Sequence, residues 1–237
     1  MSDARDHLAL VLDTDDLDDA LARARRFAPW FATAKVGYEL FAAAGPAAID
    51  ALHDEGYAVF VDLKLLDIPT TVGRAARALG RRGAELVNLH AVGGLDMLRA
   101  GVAGLAEGAQ AGGHPPPVAL AVTVLTSEPD ASAAPARLEL ARAAGCGGVV
   151  CAAAEAGAAR RLGLAPMVPG IRLGADPVQD QARVATPGDA VRAGAEWILI
   201  GRAVSAAADP ERAATLVLDE VDAALSERAT PGRRGDR

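Results

Sequence analysis

Short, nearly continuous apolar runs rich in β-branched residues recur along the chain: LALVLD (8–13), TAKVG (33–37), YAVFVDLK (57–64), ELVNLHA (85–91), VALAVTVL (118–125), GGVVCA (147–152), APMVPGI (165–171) and EWILIG (196–201). Runs of this kind predict strands buried on both faces, as in a parallel sheet. Between them, segments such as DDLDDALARARRFAPW and TTVGRAARALGRRG place Ala, Leu and Arg at three- to four-residue spacing, the signature of amphipathic helices. Eight such β-then-α units predict an α/β protein, a single-domain (β/α)8 TIM barrel spanning 1–237. A doubly wound sheet fits less well, because the first strand closes on Asp13-Thr14-Asp15-Asp16 with no glycine-rich turn after it. GGHPPP (112–117) reads as a connector within one unit, and the polar tail at about 228–237 is expected to fray.

Composition narrows the function. At 237 residues and 51% hydrophobic content the chain has ample material for one large core. A net charge of −7 argues against a nucleic-acid or anionic-membrane partner, either of which needs an extended basic field. No long uncharged apolar stretch and no basic-plus-apolar leader is seen, so a cytoplasmic location is expected. Cys146 and Cys151 sit in CGGVVC, which is not a redox CxxC, and are expected to be buried small hydrophobes. His7, His53, His90 and His114 form no metal-binding spacing, so no metal site is expected.

The basic residues are more informative: of 24, only Lys35 and Lys64 are lysine, and the rest are arginine. A chain that makes its surface charge with arginine leaves two lysines as candidates for work a guanidinium cannot do, such as giving up and regaining a proton. Barrel enzymes carry their reacting groups at the C-terminal ends of strands. There the sequence places Asp13, Lys35, Asp62, Lys64, Asn88, His90, Thr123, Thr126, Arg172 and Arg202. Asp62 and Lys64 lie i, i+2 on one strand, so both project to the barrel mouth while Leu63 points into the helix layer. A lysine beside carboxylates suits a proton donor or electrostatic anchor better than a Schiff-base nucleophile. A buried ion pair that merely closes the barrel end is the plainer alternative, but such pairs seldom stabilise a fold.

After Lys64 the chain continues through Asp67-Ile68-Pro69-Thr70-Thr71, where Pro69 holds Ile68 extended. DLKLLDIPTTV closely resembles the signature Asp-x-Lys-x-x-Asp-Ile-Pro-x-Thr of the orotidine 5′-phosphate decarboxylase family. The resemblance covers nearly the whole chain, in family order: LALVLD, AKVGYELF, the signature, NLHAVGG, VTVLTS, PGIR, VQDQARV and IGRAV. It implies decarboxylation of orotidine 5′-monophosphate to uridine 5′-monophosphate, the last step of de novo UMP synthesis, with no cofactor and no metal. The catalytic network would be Lys35, Asp62, Lys64 and Asp67, with Lys64 protonating C6 and Asp67 supplied by the other subunit of a homodimer. Asp13 and Lys35 would bind the ribose hydroxyls, and Ile68 and Thr71 of the partner chain would help enclose the ligand. Thr126 would read the pyrimidine edge, while Pro169, Arg172, Gln181, Gly201 and Arg202 would serve the phosphate end. Gln181 is chosen over Gln179 because Ala-Arg-Val follows it.

The chemistry fits these roles. Losing CO2 from C6 leaves a carbanion in the ring plane that the π-system cannot delocalise, so stabilisation must be electrostatic. The segment 170–187 would close over the phosphate and turn remote binding energy into an ordered, dehydrated site. The nearest rival is a sugar-phosphate enzyme of the same superfamily, such as hexulose-phosphate synthase. Such relatives resemble one another in using Mg²⁺ and a Glu where this chain has Lys35. A non-catalytic phosphate-binding barrel would be expected to lose at least one of Lys35, Asp62, Lys64 and Asp67.

Overall fold

The computed structural model describes residues 3–174 and 184–229. Eight parallel strands close into a barrel in sequence order: β1 (Leu8–Val11), β2 (Thr33–Val36), β3 (Ala58–Leu65), β4 (Leu86–His90), β5 (Val118–Val122), β6 (Gly148–Val150), β7 (Ala165–Val168) and β8 (Trp197–Ile200). Seven of the strands are trimmed versions of the apolar runs expected for them, while β3 starts one residue later than its run and extends one residue beyond it, to Leu65. Most of the residues dropped lie at the C-terminal ends, where the chain leaves the hydrogen-bonded ladder to form the barrel mouth. Closure is made by β1 pairing with β8, Leu8 opposite Ile198 and Leu10 opposite Ile200.

Ten helices of the described residues surround the barrel: α1 (Leu17–Phe27), α2 (Tyr38–Ala44), α3 (Ala47–Asp54), α4 (Pro69–Arg81), α5 (Gly94–Gly112), α6 (Ala134–Ala144), α7 (Ala153–Arg161), α8 (Pro187–Ala193), α9 (Arg202–Ser205) and α10 (Pro210–Ala229). Their starts follow local chemistry. The Asp16 carboxylate caps α1 by accepting from the backbone N–H groups of Asp18 and Asp19 at 2.8 and 3.2 Å. Pro69 opens α4 at its first position, and Ile68 before it is extended at ψ 151°, as the X-Pro rule requires. Among the described residues no helix is long and apolar enough to cross a membrane.

The core has two shells. Strand residues facing outward, such as Leu8, Leu10, Val59, Val61, Val87 and Leu89, pack with the helices. Those facing inward, Ala9, Phe60, Leu86, Leu120, Val122, Val150, Met167 and Leu199, form a separate plug in the barrel. Both cysteines are buried among apolar groups, and burial pushes the Cys146 thiol up to about 12.

The tightest helix pair is α4 against α5. Gly104, Gly108 and Gly112 repeat every four residues, so they form one face of α5, and it lies against the backbone of Gly73, Arg77 and Arg81 on α4. A Cβ at Gly108 would overlap the Arg77 carbonyl oxygen. Gly157 on α7 differs, because its nearest neighbour would be the Ala193 carbonyl at an ordinary 3.6 Å. Gly108→Ala should therefore lower Tm by roughly 2–12 °C through overpacking, despite alanine's better helix propensity. Gly157→Ala should leave Tm level or raise it. Thermal melts of the two variants decide it, and a more stable Gly108→Ala protein would contradict the close approach.

Candidate active site

The inward-facing positions change character along the barrel. At the N-terminal end they are apolar, as with Ala9, Phe60, Leu86 and Leu120. One or two steps further along the same strands they become Asp13, Lys35, Asp62, Lys64, Asn88 and His90. The period-two alternation that builds the plug therefore also delivers polar side chains to the mouth.

Asp62 is the centre of that group. It is only 8% exposed, and its Oδ1 accepts from the Lys64 ammonium at 2.6 Å and from the Asn88 amide at 2.6 Å. Its Oδ2 lies 3.5 Å from Lys35 Nζ, which in turn donates to Asp13 Oδ1 at 2.9 Å. The result is a row of alternating charge: Asp13, Lys35, Asp62, Lys64. Burial alone would raise the Asp62 pKa, but the ammoniums of Lys35 and Lys64 and the hydrogen bonds from Lys64 and Asn88 outweigh it and hold the carboxyl below its ordinary range.

Lys64 departs from a regular strand. Its φ of +44° is the one left-handed value at a non-glycine residue among those described, a conformation that costs a lysine about 1–2 kcal/mol. The ladder shows why it arises: Val61 pairs with Val87, but the next pair is Leu65 with Leu89, so β3 spends four residues where β4 spends two. The i, i+2 spacing does bring Asp62 and Lys64 together, through this bulge rather than through an even pleat.

A cavity of about 510 Å³ opens at the mouth. Asp13, Lys35, Asp62 and Lys64 line one side, and Val124, Leu125 and Thr126 after β5 line another. Pro169, Gly170 and Arg172 after β7, with Gly201 and Arg202 after β8, complete the far end. Arg172 is 9% exposed, and its Nη2 has no hydrogen-bond partner among the described residues. The described ends of the 170–187 segment are tied together: Ile171 bridges Ala185, and the Arg172 N–H donates to the Ala185 carbonyl at 3.0 Å. Gln181 lies outside the described residues, as do the rest of 175–183 and the tail from residue 230.

Asp67, Ile68 and Thr71 are not in the cavity of their own chain. All three are exposed, and the Asp67 carboxylate accepts from the Ile68 N–H at 2.6 Å. His90 is half-buried at the rim. Burial first, and then the positive charges of Arg137 and Lys64, lower its pKa, and its Nδ1 accepts from the Val92 N–H at 3.3 Å.

Two further residues touch the lysine without having been given a role from sequence. Asn88 is fully buried and donates to Asp62 while accepting from the Lys64 N–H at 2.6 Å. Tyr38 donates from its hydroxyl to the Leu63 carbonyl at 2.6 Å, and its ring centre is 5.9 Å from the Lys64 ammonium. Asn88 was visible as a polar residue in the apolar strand LVNLH. Tyr38 carried no signal beyond its place after a strand.

A parallel eight-stranded barrel that gathers two ammoniums and two carboxylates at the C-terminal ends of its strands, beside a buried arginine whose Nη2 has no hydrogen-bond partner among the described residues, is built as a barrel enzyme. Comparison with known proteins agrees. The sequence model of the orotidine 5′-phosphate decarboxylase / HUMPS family matches residues 6–217. An orotidine 5′-phosphate decarboxylase of Moorella thermoacetica is 41% identical over 235 residues, covering 92% of this chain and 93% of the relative. One from Nitratidesulfovibrio vulgaris is 44% identical over 231 residues, covering 86% and 92%. Among solved structures, orotidine 5′-phosphate decarboxylase from Lactobacillus acidophilus superposes with a TM-score of 0.75 at 32% identity, covering 91% of this chain and 98% of that one. The chain belongs to the orotidine 5′-phosphate decarboxylase / HUMPS family and, with these relatives, is a carboxy-lyase.

The depressed Asp62 pKa has a consequence for stability. The carboxyl is more acidic folded than unfolded, so its contribution is complete above the ordinary carboxylate range and is lost as pH falls through the folded value. The acid limb of wild-type stability, measured as Tm from about pH 6 down to 2, should therefore be steeper than that of Asp62→Asn below about pH 4. Parallel curves would show that the lysines do not hold this carboxylate.

Proposed function

We propose that this chain converts orotidine 5′-monophosphate to uridine 5′-monophosphate and CO2 without a cofactor, as one barrel domain acting in the cytoplasm. The observation that carries the reading is the Asp13–Lys35–Asp62–Lys64 row on the wall of the cavity, with its ammonium–carboxylate contact of 2.6 Å. In the proposed step the bond from C6 to the carboxylate breaks, CO2 leaves, and the electron pair stays on C6. The Lys64 ammonium stabilises that pair and then gives C6 its proton, regaining one from solvent. Asp62 beside the substrate carboxylate disfavours the charged reactant relative to neutral CO2.

The remaining cavity residues divide by chemistry. Asp13 and Lys35 suit the ribose hydroxyls, and Thr126 suits the pyrimidine edge. The buried Arg172 guanidinium, whose Nη2 has no hydrogen-bond partner among the described residues, suits a phosphate dianion together with Gly201 and Arg202, and Gln181 is assigned to the same end. Lys35 favours the decarboxylase over the sugar-phosphate synthase branch. Its ammonium lies 3.5 Å from Asp62 Oδ2, where that branch is expected to have Glu and Mg²⁺.

We further propose that the active protein is a homodimer in which Asp67, Ile68 and Thr71 of one copy complete the site of the other. The exposure of all three supports this, as does a run of exposed apolar side chains, Tyr38, Leu66, Ile68, Val92 and Leu125, after four consecutive strands at the same mouth. A second copy of this chain is the partner that would use both features together.

Incubation with orotidylate, followed by pyrimidine absorbance, should show decarboxylation that survives EDTA. Lys64→Ala should abolish it while keeping the far-UV circular dichroism of the wild type. The reaction has no electron sink, so its barrier requires enzymatic stabilisation near the upper end of the known range, about 23 kcal/mol. A Lys64→Ala enzyme with a tenth of wild-type kcat would contradict the role given to Lys64, and loss of wild-type activity in EDTA would favour the metal-using branch.

A further inference from the structure

The peptide group joining Leu63 to Lys64 is gripped at both ends by side chains. Its carbonyl accepts from the Tyr38 hydroxyl at 2.6 Å, and its N–H donates to Asn88 Oδ1 at 2.6 Å. In an even parallel ladder both groups would bond to neighbouring backbone. Here the bulge takes the Lys64 N–H out of register with β4, and the β2 ladder has already ended at Val36 opposite Val61, so side chains from β4 and α2 replace the lost partners. The same peptide leads into the left-handed φ of Lys64. A strained backbone persists only where its surroundings over-determine it.

We infer that Asn88 and Tyr38 are positioning residues that lock the left-handed backbone of Lys64 and so aim its ammonium into the cavity. Asn88 acts on Lys64 twice. Its oxygen fixes the lysine backbone, and its nitrogen donates to Asp62 Oδ1, the oxygen that receives the Lys64 ammonium. One buried amide therefore sets both the root and the tip of the side chain. Tyr38 steadies the other end of the peptide and presents its ring to the ammonium from the solvent side. Neither side chain is asked to touch the reacting carbon, so each acts on the chemical step through Lys64 alone.

The effect on rate rests on the decarboxylase reading, but the geometric part does not. Asn88→Ala should lower kcat about 100-fold, the scale expected when a reacting group is misplaced by about an ångström. Tyr38→Phe should lower it roughly three- to tenfold, as expected for one hydrogen bond. Affinity for uridine 5′-monophosphate should stay within about twofold of wild type in both, because the loss falls on the transition state rather than on nucleotide binding. Crystal structures of the variants should show the Lys64 φ leaving the positive region in Asn88→Ala. Asn88 is fully buried, so Tyr38→Phe, made on an exposed ring, keeps the test open if Asn88→Ala does not fold. In that case displacement of the Lys64 ammonium from Asp62 in the Tyr38→Phe crystal, together with its selective loss of kcat, is the supporting result. Unchanged Lys64 geometry in every variant that folds overturns the inference, whatever the rates. Equal loss of kcat and nucleotide affinity also overturns it, by showing a general structural role. A wild-type protein that fails to decarboxylate orotidylate would remove the proposed function, and the crystal structures would still decide the clamp.

Discussion

A carboxylate buried in a barrel stays charged only if its neighbours supply what water would have given it. Asp62 meets that condition with two ammoniums and an amide, each from a fixed place on its own strand or an adjacent one. Lys35 comes from β2, Lys64 from two residues further along β3, and Asn88 from β4. Removing any one leaves charge or hydrogen-bonding capacity unanswered in a confined space, so the mouth is coupled as a unit. The same constraint fixes where the ammoniums point, which is what the proposed chemistry needs, because a carbanion with no delocalisation is stabilised only by charge already in place.

The barrel supplies this order by simple means. Its inward face runs from an apolar plug to charged groups on the same strands, so the plug is the floor of the cavity. The close α4–α5 contact, made by glycines, holds the helices that follow β3 and β4, the two strands that carry Asp62, Lys64 and Asn88. At the opposite side of the mouth, Gly170, Arg172 and Gly201 offer a small, positively charged end suited to an anion. The proposed reacting groups and the proposed anion-binding groups thus sit at two ends of one cavity, an arrangement that would let remote binding energy act on the chemical step.

The strands and helices were legible because buried parallel strands leave continuous apolar runs, and each of the eight runs became a strand with ends shifted by a few residues. The two lysines stood out because arginine supplies every other basic side chain. The contact of Lys64 with Asp62 followed from strand periodicity, and the place of Asp13 and Arg172 at the mouth followed from their positions at strand ends, with the family resemblance suggesting their roles. What the sequence did not show was the irregularity at Lys64. A left-handed lysine comes from a register mismatch between β3 and β4, and register depends on both strands together rather than on either sequence. The parts played by Tyr38 and Asn88 were hidden for the same reason, since they answer backbone groups that only the bulge exposes.

The row of charges in one chain ends at Lys64, while the motif continues to Asp67, whose carboxylate is exposed and accepts from its own backbone neighbour. The central claim is that a second copy supplies this charge, so that each working site contains Lys64 of one chain and Asp67 of the other. Mixing separately inactive Lys64→Ala and Asp67→Ala proteins, with subunit exchange confirmed by a mass tag, tests it directly. Random exchange makes about half the dimers hybrids, each with one intact site of two, so activity should recover to roughly one quarter of wild type. Complete exchange without recovery would contradict the shared site and place Asp67 in the mouth of its own barrel.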